Sequence, residues 1–278
     1  MRNVVICGKG GIGKSTVTTN TAALLAGQGL RVLQVGCDPK RDSCARHLDA
    51  GCSTLMDALV ANGHLTMADV VRLVVRGRTG VDCIEAGGPD PGIGCAGRAI
   101  SLLLELMSQA PELSRYDVRL FDLVGDVVCG GFAAPLRTGA DTQVYLVVAG
   151  ELLALYAANN IARGIANLSR RGGGRLAGVV CNLRGTAGER ELVGSFAARL
   201  GTSVVSWVPR DAHVVAADAA RRTVAEAFPQ APAVRSFVEL AGAMRSCAPE
   251  GLVVPRPLTD AELEALCAEH IRAPARTA

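Results

Sequence analysis

Seven short apolar runs rich in β-branched residues punctuate the chain: Asn3 to Cys7, Arg31 to Gly36, Val81 to Glu85, Val118 to Asp122, Gln143 to Val148, Leu176 to Cys181 and Ser203 to Val208. Stretches of helical periodicity separate them. Strands that are apolar on both sides must be covered on both faces, so the alternation predicts an α/β fold with a mostly parallel sheet flanked by helices. Such sheets bind ligands at the carboxyl ends of their strands. A final acidic stretch, Thr259 to His270, predicts a short helix, and the Ala/Pro/Arg end that follows, from about residue 271, reads as a mobile tail.

Composition narrows the function classes. With 278 residues, 49% of them hydrophobic, the chain can bury one large core, and residues 1–278 read as a single domain. A net charge of +3, 3% aromatics and the absence of a dense Lys/Arg run argue against a nucleic-acid surface. No signal-peptide pattern and no stretch of 18 apolar residues occurs, so a cytoplasmic protein without a membrane partner is expected. Ten cysteines without a C-x-x-C pair point to a reducing compartment rather than to a disulfide framework or a zinc ribbon.

The chemistry begins at C-G-K-G-G-I-G-K-S-T, Cys7 to Thr16. Gly8, Gly13, Lys14 and Ser15 satisfy the G-x-x-x-x-G-K-[ST] pattern of a phosphate-cradling loop, with Gly10, Gly11, Ile12 and Thr16 filling it out. The motif follows a predicted strand and opens a predicted helix, the P-loop NTPase arrangement. There Lys14 neutralises the β- and γ-phosphates and Ser15 ligates Mg²⁺. Lys9 is surplus to that task. Twenty-six of the 29 cationic side chains are arginine, and the three lysines are Lys9, Lys14 and Lys40. A compact ammonium fits among phosphate oxygens where a planar guanidinium does not, which makes each lysine a site candidate. A second loop cation makes sense if Lys9 reaches the site of a facing subunit, as an arginine finger does. Further along, F-D-L-V-G-D, Phe121 to Asp126, has the form of a magnesium-shell acid, Asp122, followed by a γ-phosphate-sensing Gly125. Asp126 or Asp38 would orient the attacking water, and Lys40 and Asp42 belong to the neighbouring D-P-K-R-D segment.

These motifs, with G-G-P-D-P-G-I-G-C-A-G-R (Gly87 to Arg98), G-D-V-V-C-G-G-F-A-A-P (Gly125 to Pro135), Y-A-A-N-N-I (Tyr156 to Ile161) and V-P-R-D (Val208 to Asp211), closely resemble the nitrogenase iron protein family along nearly the whole chain. The family includes the L-type subunits of the dark protochlorophyllide and chlorophyllide reductases. The resemblance implies a homodimer that hydrolyses MgATP and is bridged by one [4Fe-4S] cluster, held by two thiolates per subunit, here Cys95 and Cys129. It implies electron delivery to a larger catalytic metallocluster component, with ferredoxin or flavodoxin as the low-potential donor. It also supports Lys9 as an interface-crossing residue and places adenine near Asn182 and Pro209, Arg210 and Asp211, the ribose near Asp218, and the docking face, a target of ADP-ribosylation in some relatives, at Arg98. The glycines beside both cysteines let backbone approach a cluster and donate N–H bonds to its sulfurs. Cys7, Cys37, Cys83 and Cys181 adjoin strands and read as core.

Departures from the family wording shape the finer expectation. Lys40-Arg41-Asp42-Ser43-Cys44-Ala45-Arg46 replaces the usual K-A-D-S-T-R, and Val215 and Ala233 stand where nitrogenase iron proteins present glutamines near adenine. The G-G-F-A-A-P wording is nearer the protochlorophyllide branch, and C-A-G-R is nearer nitrogenase. This mosaic suggests a nitrogenase-like reductase, for instance the component serving methylthio-alkane reduction, with nitrogenase proper as the alternative. A positioning ATPase of the septum-site or plasmid-partition type shares the two-lysine loop but would need an amphipathic tail or a basic DNA surface.

Overall fold

The computed structural model describes residues 1–88, 97–123, 125 and 130–270. Its centre is an eight-stranded sheet, and the helices are numbered in chain order, the shorter ones being α2 (Leu55–Asn62), α3 (Met67–Leu73), α5 (Gly130–Leu136), α8 (Ala212–Ala219) and α9 (Val224–Ala227). The strands are β1 (Arg2–Gly8), β2 (Val32–Gly36), β3 (Val75–Arg76), β4 (Asp82–Glu85), β5 (Val118–Asp122), β6 (Gln143–Val148), β7 (Arg175–Asn182) and β8 (Val204–Val208), in the order β3-β4-β2-β5-β1-β6-β7-β8. All pair in parallel except β3, which runs antiparallel to β4. The seven strands expected from the sequence are all present, with ends that differ by at most one residue. The two-residue β3 is exposed, and the apolar residues Leu73 to Val75 that lead into it merge with the preceding helical stretch and do not mark a separate strand; Arg76 ties it to Asp82 at 2.9 Å.

Alternation along each strand divides the core into two layers. Val5, Cys7, Leu33 and Val35 face one, with α4 (Gly97–Gln109), α6 (Leu152–Ser169), α7 (Glu189–Leu200) and α11 (Asp260–His270). Val4, Ile6 and Val32 face the other, with α1 (Lys14–Gly27) and α10 (Pro232–Ser246). Two-sided burial of this kind requires the near-continuous apolar strands from which the fold was read. Helix α1 is unusual in burying Thr18, Thr19, Asn20 and Thr21 along with its apolar residues. It is covered by the sheet on one side and by α10 on another, so it shows no single apolar stripe. Most of these polar groups are satisfied: Thr19 Oγ1 donates to Ser43 O at 3.0 Å, and Asn20 Oδ1 accepts from Val224 N at 2.7 Å, whereas Thr21 Oγ1 is buried with no partner among the described residues.

The acidic helix expected at the C-terminus is α11, with Thr259 bonding reciprocally to Glu262 at its start. The tail expected from about residue 271 lies outside the described residues. Among the described residues no helix is long and apolar enough to cross a membrane.

Candidate functional site

The carboxyl ends of β1, β2 and β5 converge, with Ile6 and Gly36 both in register with Asp122. Out of that edge rises the glycine loop. Gly11 and Gly13 adopt left-handed φ values of 73° and 101°, which glycine reaches without steric cost, so the loop wraps tightly before α1 begins. A Cβ on Gly13 would stand 2.5 Å from Asn182 Nδ2. The helix N-terminus then presents its unpaired N–H groups and positive dipole end to the loop's concavity.

That concavity is a cavity of about 750 Å³ lined by Gly10, Gly11, Gly13, Lys14, Ser15, Thr16, Asp38, Pro39, Lys40, Asp42, Arg46 and Gly125. The loop and the D-P-K-R-D segment therefore share one site. Lys14 is nearly buried, and its Nζ donates to Lys9 O at 3.2 Å. Burial pushes its pKa down, against the pull of Asp122, Cys7 and Asp38. Lys9 is half-buried and its side chain does not line the cavity. Gly125 packs directly on the loop, since a Cβ there would lie 2.4 Å from Gly10 N.

Behind the cavity floor lies a buried polar network. Ser43 Oγ donates to Asp122 Oδ2 at 2.7 Å. Burial raises the Asp122 pKa, opposed by the Ser15 and Ser43 hydroxyls and by Lys14. Its Oδ1 is buried without a well-formed hydrogen bond among the described residues. An orphaned carboxylate oxygen beside a loop serine suits the water shell of a magnesium ion. Gln34 Nε2 donates to Ser43 O at 2.8 Å, so its Oε1 must accept from His47 Nε2, 3.0 Å away. His47 thus carries a proton on Nε2, and burial lowers its pKa to about 3, which favours the neutral ring. Glu85 Oε1 accepts from Cys44 N at 2.7 Å.

These contacts pin residues 43–47 to the strand ends; in the cavity-lining stretch before them Lys40 N donates to Asp38 Oδ1 at 3.0 Å and Arg41 pairs with Asp57 at 2.8 Å. Ser43, Gln34, Glu85 and Arg46 escaped sequence reasoning. The S-C-A-R wording flagged the segment as a departure, but no local pattern announced its partners.

The residues expected on the adenosine side do not line this cavity and are already engaged. Asn182 Nδ2 donates to Ile12 O at 2.8 Å. Asp211 caps α8 (Ala212–Ala219) by accepting from His213 N at 2.9 Å and also accepts from Ala233 N at 3.1 Å. Asp218 pairs with Arg46. Pro209 is half-buried and Arg210 exposed.

Cys95, Cys129 and Asp126 lie outside the described residues. The helices that follow the two cysteines are described: α4 starts at Gly97, two residues after Cys95, and α5 (Gly130–Leu136) starts one residue after Cys129. Their starts abut, because a Cβ on Gly131 would meet Gly97 Cα at 3.1 Å and Ile100 Cδ1 at 2.5 Å. Two converging helix N-termini favour negative charge. Arg98 is exposed on the first turn of α4. The strand-associated cysteines Cys7, Cys37, Cys83 and Cys181 are all buried core residues, and burial pushes the thiols of Cys7 and Cys181 up to about 12.

Residues 2–272 match the family described as 4Fe-4S iron sulfur cluster binding proteins, NifH/frxC family. The chain is 42% identical over 277 residues to a nitrogenase iron protein from Methanospirillum hungatei JF-1, covering 98% of this chain and 96% of that protein. Among solved structures it resembles a septum site-determining protein MinD from Pyrococcus horikoshii OT3, complexed with Mg-ADP, with a TM-score of 0.70, 20% identity, and 88% and 97% of the two chains covered. A ParA family ATPase from Chlorobium tepidum TLS superposes with a TM-score of 0.67 at 18% identity, covering 87% and 99%. At such identities the structural likeness speaks to the P-loop fold alone.

Proposed function

The chain belongs to the NifH/frxC family of 4Fe-4S iron sulfur cluster binding proteins, and on that premise we propose that it is the ATP-dependent electron-donating component of a nitrogenase-like reductase. It acts as a homodimer that binds MgATP in the 750 Å³ cavity and shares one [4Fe-4S] cluster, with Cys95 and Cys129 of each subunit as ligands. The observation that carries this reading is the abutment of Gly131 on Gly97. Chain geometry keeps each cysteine within about 8 Å of those glycines, at two residues of at most about 3.8 Å each. The donor set fits the group: thiolates flanked by glycines and by converging helix dipoles.

When bound, the cluster supplies a low-potential one-electron donor. The chain's own residues do the rest. Lys14 and the loop N–H groups neutralise the β- and γ-phosphates, Ser15 ligates Mg²⁺, and Asp122 Oδ1 accepts from its water shell. Gly125, packed on Gly10, offers its N–H to the γ-phosphate. Asp38 and Asp126 orient the attacking water, and Lys9 extends to the partner subunit's nucleotide. Because Asp122, Gly125 and Cys129 lie on one run of backbone, phosphate state and cluster position share a mechanical link. Asn182 and the Pro209, Arg210, Asp211 segment flank adenine. Arg98 contributes to the face that docks a larger metallocluster protein, and ferredoxin or flavodoxin supplies the electrons. Methylthio-alkane reduction is the system we favour from the motif mosaic; the 42% identity to a nitrogenase iron protein favours nitrogenase proper as the second reading.

The test is iron content and nucleotide binding of Cys95→Ser and Cys129→Ser dimers prepared without oxygen. Both should bind MgATP normally while iron falls from four per dimer toward zero, in line with thiolate ligation of such clusters. Near-normal iron in either variant removes the assignment. Parallel assays of the purified pair of components on dinitrogen, a methylthio-alkane and a tetrapyrrole decide the branch.

A further inference from the structure

A second cavity, about 380 Å³, opens at the opposite end of the sheet, where β1 and β5 begin. Leu104 and Met107 of α4 and Phe121 of β5 supply apolar wall, and Asn3, Arg119 and Thr138 supply a polar floor. Its size falls within the range of about 300–1,000 Å³ typical of small-molecule sites. Arg119 is half-buried. Its Nε donates to Asn3 Oδ1 at 3.0 Å, and Asn3 Nδ2 donates on to Thr138 Oγ1 at 3.3 Å. The terminal guanidinium nitrogens have no hydrogen-bond or carboxylate partner among the described residues, and burial lowers the Arg119 pKa.

The half-buried Arg119 thus lines the cavity with terminal nitrogens that stay open to water, as donors free for an anion that enters.

We propose that this cavity binds a small amphipathic monoanion, an aliphatic carboxylate whose head pairs with Arg119 and whose body lies against Leu104, Met107 and Phe121. Arginine offers two parallel N–H donors that match a carboxylate's two oxygens. The apolar wall explains why the ligand carries a short hydrocarbon body rather than being a bare inorganic anion. The site stands apart from the nucleotide cavity and does not rest on the reading of the cluster.

The probe is hexanoate, titrated into the intact cluster-loaded dimer at low ionic strength and followed by saturation-transfer NMR. Saturable binding is expected, at least about tenfold tighter than that of 1-hexanol, the scale of a lost charge-assisted pair. Arg119→Met should erase that preference. Ser108→Trp, placed on an exposed α4 position at the cavity rim, should block hexanoate and hexanol alike while leaving MgATP binding and the melting temperature unchanged. Absence of saturable hexanoate binding to the unaltered protein overturns the site, as does undiminished hexanoate binding in either folded variant. Inorganic phosphate displacing hexanoate at equal concentration overturns the amphipathic assignment.

Discussion

The phosphate cradle and the wall proposed to face adenosine differ in what their polar groups do before a nucleotide arrives. In the cradle, glycines at left-handed φ hold backbone N–H groups open to the cavity, and Lys14 makes one hydrogen bond of 3.2 Å, to an uncharged backbone carbonyl that an anionic phosphate readily replaces. In the wall, Asn182, Asp211 and Asp218 all hold protein partners at 3.1 Å or less. The cradle is preorganised for its ligand, whereas the wall is organised for the protein itself. Affinity should therefore come from phosphates, with the base contributing mainly shape.

The largest effect expected from this contrast is at Lys14. Lys14→Met removes a charge-assisted contact to phosphate and should weaken MgATP by about 100-fold, near the upper end of what such bonds contribute. Adenosine binding should not change. Asn182→Ala, on the wall, should cost only a few-fold. Equal losses in equilibrium dialysis for the two variants would break the comparison.

A second effect concerns the buried polar network behind the cavity floor. Glu85 is buried, and burial raises its pKa from 4.5 to about 7, opposed by the Cys44 hydrogen bond and reinforced by Asp122 and Asp42. Between those values the folded state holds a proton that the unfolded state has released, so stability falls as pH rises through this window and levels off above about 7. The amplitude is on the order of 2 kcal/mol. Glu85→Gln should flatten it. Urea titrations of both proteins at pH 5.5 and 7.5 measure the difference, and identical slopes would show that Glu85 does not titrate there.

Next in size is Gly13→Ala, best judged beside Gly172→Ala. Both glycines have left-handed φ, 101° and 83°, but an added Cβ meets Asn182 at 2.5 Å in the first case and nothing within 4 Å in the second. Backbone strain costs each variant about 1 kcal/mol. Gly13→Ala should lose roughly another 1 kcal/mol from the clash, together with the Asn182 to Ile12 bond that joins cradle to wall. Matching melting temperatures for the pair would mean that the cradle tolerates the displacement.

The sequence was most informative where recognition is local. The glycine loop, its flanking strand and helix, and Asp122 at a strand end could all be read because each depends on neighbours within a few residues. The seven long strands followed for the same reason: a two-face apolar run carries its own signal. What escaped reading depends on approach between distant positions. Ser43 meets Asp122 across 79 residues and Glu85 meets Cys44 across 41, and a lone Ser or Glu has no pattern that names such a partner. Asp211 illustrates the converse. Its motif marked it for the nucleotide, and in the fold it also caps α8 and anchors the start of α10. One carboxylate can satisfy a helix and border a site, and a sequence motif does not separate the two.

The smallest effect, and the one that discriminates best within the wall, lies at the Arg46–Asp218 pair. Arg46 lines the phosphate cavity with its side chain 17% exposed, while Asp218 is 51% exposed on α8. A pair this open contributes roughly 0–1 kcal/mol to stability, so neither Asp218→Asn nor Arg46→Met should move the melting temperature much. Their effects on nucleotide differ in kind. If Asp218 accepts from the ribose, Asp218→Asn weakens ATP about threefold to tenfold, the scale of one ordinary hydrogen bond, and leaves 2′-deoxy-ATP nearly untouched. Arg46→Met, by removing a cation from the phosphate side, weakens both nucleotides alike, and the loss shrinks as salt is added. Equal loss of ATP and 2′-deoxy-ATP in Asp218→Asn would reduce Asp218 to an anchor for Arg46 and leave the wall with no ribose contact from α8.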